Sequence, residues 1–188
     1  MLAVQKKRAI YADLQALPQN VIGQILAGEL HVQPRPASRH AWSAGRIGGV
    51  LDEPFHRRGR GPGGWIILPE PELHLGPEPD VLVPDLAGWR RTRMPELPDV
   101  AAFTLAPDWI CEVLSPSTAK IDRTIKLEIY AREGVGHAWL VDPNAKTLEV
   151  YRLDDERWIR VACFADEAVV RAEPFDAIKL ELSYIFLR

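Results

Sequence analysis

The stretch Asp108 to Asp142, DWICEVLSPSTAKIDRTIKLEIYAREGVGHAWLVD, decides the fold. It reads as a strand carrying one carboxylate, a Ser/Pro turn, a helix carrying a lysine, and a second strand. Side chains alternate across a strand, so Trp109, Cys111 and Val113 fall on one face while Ile110, Glu112 and Leu114 fall on the other. Glu112 therefore stands between two apolar neighbours on a face expected to be buried. An isolated charge there is costly, and the group shifts its pKa toward neutrality unless it finds a partner. A metal ion, a lysine, or both would serve.

The helix is expected over about 119 to 132. In it Asp122, Lys126 and Tyr130 recur every four residues as one polar stripe, beside the apolar stripe of Ile121, Ile125 and Ile129. Lys126 can thus face the strand end where Glu112 emerges. Asp122 reads as an N-cap or supporting partner, and Tyr130 as packing at the helix flank. Gly134 occupies a left-handed C-cap position, with Val135 placed for the accompanying apolar contact.

Toward the N-terminus, residues 18–26 (PQNVIGQIL) read as a short helix with Val21, Ile22, Ile25 and Leu26 on one face, ended by Gly28. Residues 29–32 read as a first strand. Ser38 offers an N-cap to a helix whose stripe is Ala44, Ile47, Gly48 and Leu51. The segment FHRRGRGPGG, 55–64, reads as a loop; it lacks the Gly-Lys-Ser/Thr ending of a phosphate-binding P-loop. Residues 65–68 form a strand candidate, 70–75 continue extended, and Pro79 with Asp80 opens a short strand at 81–83. Residues 86–103 read as an irregular excursion. Toward the C-terminus, strands are expected at 137–141, 148–153, 158–163, 168–171 and 178–186, with Asp142-Pro143-Asn144 as a turn. The expected architecture is α/β in a single domain spanning 1–188, with one central sheet and an antiparallel β-rich C-terminal half.

Composition narrows the function classes. A content of 47% apolar and 26% charged residues in 188 excludes wholesale disorder and suits one substantial core. Cys111 and Cys163 are too few and too far apart for a disulfide framework and read as reduced thiols. No apolar run reaches membrane-span length, and the start MLAVQKKRAIYADLQ lacks a signal-peptide apolar region. No membrane association and a cytoplasmic location are expected. The net charge of -3 argues against coating nucleic acid by bulk electrostatics. Six arginines at 35, 39, 46, 57, 58 and 60 nevertheless oppose only Asp52 and Glu53, a local balance of +4 that suits either phosphate contact or a solvated basic loop.

Asp80, at the start of a neighbouring strand, supplies a second carboxylate. Two carboxylates and a lysine make a site for one hard divalent cation and one phosphate: the oxygens hold Mg²⁺ with its waters, and the ammonium orients or deprotonates a water and offsets developing charge. His31, His40, His56, His74 and His137 show no zinc-ligand spacing. Ser115 and Ser117 lie in a turn without a nucleophile elbow, which argues against a serine hydrolase.

The residues PDVLV, EVLSPST, the D-x-x-x-K-x-x-x-Y stripe, the GV helix stop and WLVDP together resemble the Uma-two family, placed with restriction endonucleases in the PD-(D/E)xK nuclease superfamily. The likeness runs from GELHVQPRPASRH to the final strand. It implies a restriction-endonuclease-like core, a central mixed sheet flanked by helices, and Mg²⁺- or Mn²⁺-dependent phosphodiester hydrolysis with DNA as the partner. Asp80 would match the superfamily's PD aspartate and Glu112 its D/E residue. The in-line lysine position holds Leu114, so the resemblance implies a lysine relocated to the helix, here Lys126. Glu29 would match an additional metal-site glutamate of some members, and His40 a histidine that recurs in the family. Homodimerisation would suit cleavage of two strands. The competing expectation is a catalytically silent nuclease fold that binds nucleic acid or a protein partner.

Overall fold

The computed structural model describes residues 8–57 and 61–187, so part of the 55–64 loop lies outside the described residues. A six-stranded sheet organises the molecule. It contains β3 (Trp65–Pro69), β6 (Leu86–Arg90), β7 (Trp109–Val113), β8 (His137–Asp142), β9 (Thr147–Asp154) and β10 (Arg157–Ala165), in the order β10-β9-β8-β7-β6-β3. Within this sheet β7 and β8 pair in parallel and the other neighbours are antiparallel. Parallel neighbours need a crossover, and the 119–132 helical run supplies it. That run consists of α3 (Ala119–Ile121), a π-helical turn (Asp122–Lys126) and α4 (Leu127–Arg132). Its end is the expected Schellman stop: Gly134 has φ +75°, Val135 N–H donates to Tyr130 C=O at 2.9 Å, and Val135 is buried.

The alternation read in β7 divides two cores. Trp109, Cys111 and Val113 join the cluster beneath α2 (Ser38–Leu51), where Phe175 packs on Trp109, Trp139 and Trp65 with ring centroids 4.9, 5.6 and 4.9 Å away. Ile110 and Leu114 join the opposite cluster with Leu140, Ile129 and Tyr130. Glu112 lies on this second face at 2% exposure, so a carboxylate is embedded among apolar side chains as the alternation predicts.

Three expectations are corrected. Residues 18–26 are not a helix: after the short α1 (Tyr11–Gln15), β1 (Val21–Leu26) pairs with β2 (Glu29–Pro34). The turn between them places Ala27 at φ +51° and Gly28 at φ +79°. Two positive φ angles at the centre of a two-residue hairpin match the right-handed twist of the strands, so Gly28 is a turn residue rather than a helix stop. Residues 86–103 are not wholly irregular, since Leu86–Arg90 is β6, in the middle of the sheet. Gly88 hides it from pattern reading, yet the packing around that glycine is tight: an added Cβ would lie 3.1 Å from the Trp109 ring and 3.3 Å from that of Trp65. The last expected strand shrinks to β12 (Leu180–Glu181), paired with β11 (Val169–Val170). It turns into α5 (Leu182–Ile185), whose Ile185 carbonyl accepts the Ser43 hydroxyl of α2 at 3.1 Å.

A smaller antiparallel sheet, β2-β1-β5-β4, is completed by β4 (Leu73–Leu75) and β5 (Asp80–Leu82). The chain leaves β5 through Val83-Pro84-Asp85 and enters β6. Because β6 and β7 are antiparallel with Leu86 opposite Cys111, this entry brings Asp85 beside Glu112.

Candidate active site

Glu112 meets its partners from the helical run. Lys126 Nζ lies 2.7 Å from Glu112 Oε2 and 3.1 Å from Asp122 Oδ1, and the Tyr130 hydroxyl donates to Glu112 Oε1 at 2.7 Å. The four-residue stripe read in the sequence thus faces one carboxylate. Asp122 to Lys126 is a π-helical turn, a widened turn that often marks functional sites. The turn before it is held by hydroxyls: Ser115 Oγ accepts from Thr118 N–H at 3.2 Å and lies 2.9 Å from Thr118 Oγ1. Those hydroxyls tie the turn together.

Asp85 closes the other side. Its Oδ2 accepts the Val113 N–H at 2.6 Å, at the end of the β6–β7 ladder, and its Oδ1 stands 3.3 Å from His40 Nε2. A cleft of about 190 Å³ is lined by Asp85, Glu112, Asp122, Lys126, His40 and the Ser115–Thr118 turn.

Glu112 and Asp122 share one buried ammonium, with Asp85 a further charge acting on it, and the titration shifts follow. Burial pushes Glu112 up to about 8; Lys126 opposes this, while Asp122 and Asp85 reinforce it. Burial disfavours the charged Lys126, yet Glu112 and Asp122 outweigh it and hold the ammonium protonated above its ordinary range. Lys126 is therefore suited to supplying fixed charge rather than accepting a proton. For Tyr130, burial and then the Glu112 charge raise the phenol well above its ordinary value, so it remains a hydrogen-bond donor. Burial pulls the His40 imidazole down, but the Asp85 hydrogen bond and charge, with Glu112 and Asp122 behind them, leave it raised.

Of the six residues predicted from sequence, Glu112, Lys126, Asp122 and His40 come together. Asp80 and Glu29 do not. Asp80 is buried at the start of β5, where one oxygen accepts the Ala27 N–H at 2.5 Å and the other pairs with Arg132 at 2.7 Å, clamping the β1–β2 turn to the end of α4. It does not line the cleft. Glu29 is exposed at the β1–β2 turn, beside a separate hollow shared with Arg8 and Asp13.

Sequence reasoning missed two residues. Asp85 carried a visible signal, since Pro84-Asp85 is a second Pro-Asp pair five residues after Pro79-Asp80. Tyr130 carried a signal in its place on the Asp122–Lys126 stripe, but only the fold shows its hydroxyl meeting Glu112.

A hard divalent cation would find carboxylate oxygens in this cleft. Among the described residues no group of three or more His, Cys, Asp or Glu side chains is arranged to hold a metal alone. Mg²⁺, however, takes one or two carboxylates and completes its shell with water and substrate phosphate. Asp85 and Glu112 would hold it.

The strand–helix–strand frame with its acidic cleft is that of a restriction-endonuclease-like protein. A family model described as "Uma2: Putative restriction endonuclease" matches residues 9–183, and the chain belongs to that family. The fold has a solved counterpart, described as "a putative nuclease belonging to DUF820 from Anabaena variabilis ATCC 29413". It aligns with a TM-score of 0.75 at 21% identity, over 93% of this chain and 94% of that one. No curated protein matches the chain. Among the described residues no helix is long and apolar enough to cross a membrane.

Proposed function

We propose that this protein is a metal-dependent phosphodiester hydrolase acting on DNA, with Asp85 and Glu112 as the metal-binding pair and Lys126 as the catalytic lysine. The observation that carries the reading is the pairing of buried Glu112 and Asp122 with the buried Lys126 ammonium, in a cleft that half-buried Asp85 also lines. Mg²⁺ or Mn²⁺, when bound, supplies charge neutralisation at the phosphate and an activated water. Lys126 directs fixed positive charge at the phosphate oxygens on which charge builds. Asp122 holds Lys126 from one helical turn away, and His40 braces Asp85 from α2. Asp85 rather than Asp80 takes the place of the first carboxylate, because Asp85 lines the cleft with Glu112 and Asp80 does not.

The test is incubation of the purified protein with plasmid DNA, single-stranded DNA and RNA in Mg²⁺ or Mn²⁺. Metal-dependent cleavage of DNA is expected, falling by about 100-fold or more in Lys126→Met and in Glu112→Ala. Equal cleavage by wild type and Glu112→Ala would mean a contaminating nuclease. One observation favours the alternative of a silent nucleic-acid- or partner-binding module: both Glu112 oxygens already have protein partners. Absence of Mg²⁺ and Mn²⁺ binding in calorimetric titration would select it.

A further inference from the structure

Glu112 does not offer two equivalent oxygens. Oε1 receives the Tyr130 hydroxyl at 2.7 Å, whereas Oε2 faces Lys126 Nζ at 2.7 Å, and Lys126 has a second acceptor in Asp122 at 3.1 Å. Tyr130 is wholly buried, and its ring is fixed by the packing of α4 and by the Schellman stop that follows. The contact to Oε1 is accordingly a fixed one. The contact to Oε2 is exchangeable, because Lys126 can keep its ion pair with Asp122 if Oε2 takes another cation.

We infer that Tyr130 is a positioning residue: by holding Oε1 it sets the carboxylate plane of Glu112, so that Oε2 is the oxygen presented to a divalent cation. The inference rests on the metal-site reading above and gives a function to the last member of the Asp122–Lys126–Tyr130 stripe. Groups that orient a metal-binding carboxylate commonly contribute about 10- to 100-fold to affinity. Phenylalanine at this position keeps the ring and removes only the donor.

The experiment is titration of the metal-free protein with Mn²⁺, read by the loss of the free-ion electron paramagnetic resonance signal, without DNA. Tyr130→Phe is expected to weaken Mn²⁺ binding about 10- to 100-fold. Glu112→Asp, one methylene shorter and unable to span the same contact, should show a similar loss with Tyr130 intact. In the Glu112→Asp background, Tyr130→Phe should then change the affinity by less than about twofold, since the bond it removes is already gone. Ser43→Ala, which loses a buried hydrogen bond elsewhere, should lower the melting temperature and leave Mn²⁺ affinity unchanged.

Additive losses in the double variant, or unchanged affinity in Tyr130→Phe, would overturn the positioning role while metal binding itself stood. Wild-type affinity in Glu112→Gln, or no binding by wild type, would overturn the underlying metal site and the positioning role with it.

Discussion

Asp80 and Asp85 show how place in the fold separates two readings of one motif, since only Asp85 lines the cleft with Glu112. Both follow a proline, and both sit near a strand end. Asp80 spends its oxygens on Ala27 and Arg132, so Asp80→Asn is expected to lower unfolding free energy by about 1–3 kcal/mol, the usual effect of unmaking a buried, charge-assisted contact. Mn²⁺ affinity in that variant should equal wild type. Asp85→Asn should do the reverse, losing most Mn²⁺ binding; the comparison requires urea melts and metal titrations on both proteins. Glu112 adds a pH dependence. Its folded pKa, about 8, lies above its ordinary value of 4.5. The folded state therefore binds the proton more tightly than the unfolded state. The stabilisation is fully present below about pH 4.5 and is lost as pH rises through 8. Metal-free wild type should melt at progressively lower temperature across that window, and Glu112→Gln should flatten the trend. Because a cation must displace the same proton, Mn²⁺ affinity should rise with pH over the same interval. A pH-independent affinity would remove Glu112 from the ligand set.

Among the elements, the 119–132 run was the most legible. Its stripe, its stop and its contact with β7 follow from helical spacing and one glycine. The β6 strand was the least legible, since Gly88 interrupts the apolar run and no local signal says why it is there. Only the closeness of Trp65 and Trp109 explains it. Gly88→Ala is expected to destabilise the protein by about 1–3 kcal/mol through forced displacement of those rings, measurable by denaturant unfolding. An unchanged midpoint would mean that the rings shift freely. The β1 strand was misread for another reason: Val21, Ile22, Ile25 and Leu26 suit a helix face as well as a short buried strand, and the hairpin turn decides.

Across the molecule, the six-stranded sheet keeps two jobs on opposite faces. One face carries the aromatic core that docks the C-terminal segment through Phe175; the other carries Glu112 and the helical run. Phe175→Ala should cost about 3–5 kcal/mol, because the ring touches Phe55, Trp65, Trp109 and Trp139. At temperatures where the variant remains folded, its Mn²⁺ affinity should stay near wild type, as titration after a thermal melt would show. A parallel loss of metal binding would mean that the faces are coupled.

The order of elements from β7 to β9, the burial of Glu112 and the orientation of Lys126 and Asp122 were set by the sequence itself. Each depends on periodicity within a segment, and periodicity is a local property. The second carboxylate, the Tyr130 contact and the place of β6 were decided only by tertiary structure. They depend on which strand lies beside which and in what register, and the Leu86–Cys111 pairing that brings Asp85 to Glu112 joins residues that no local pattern connects.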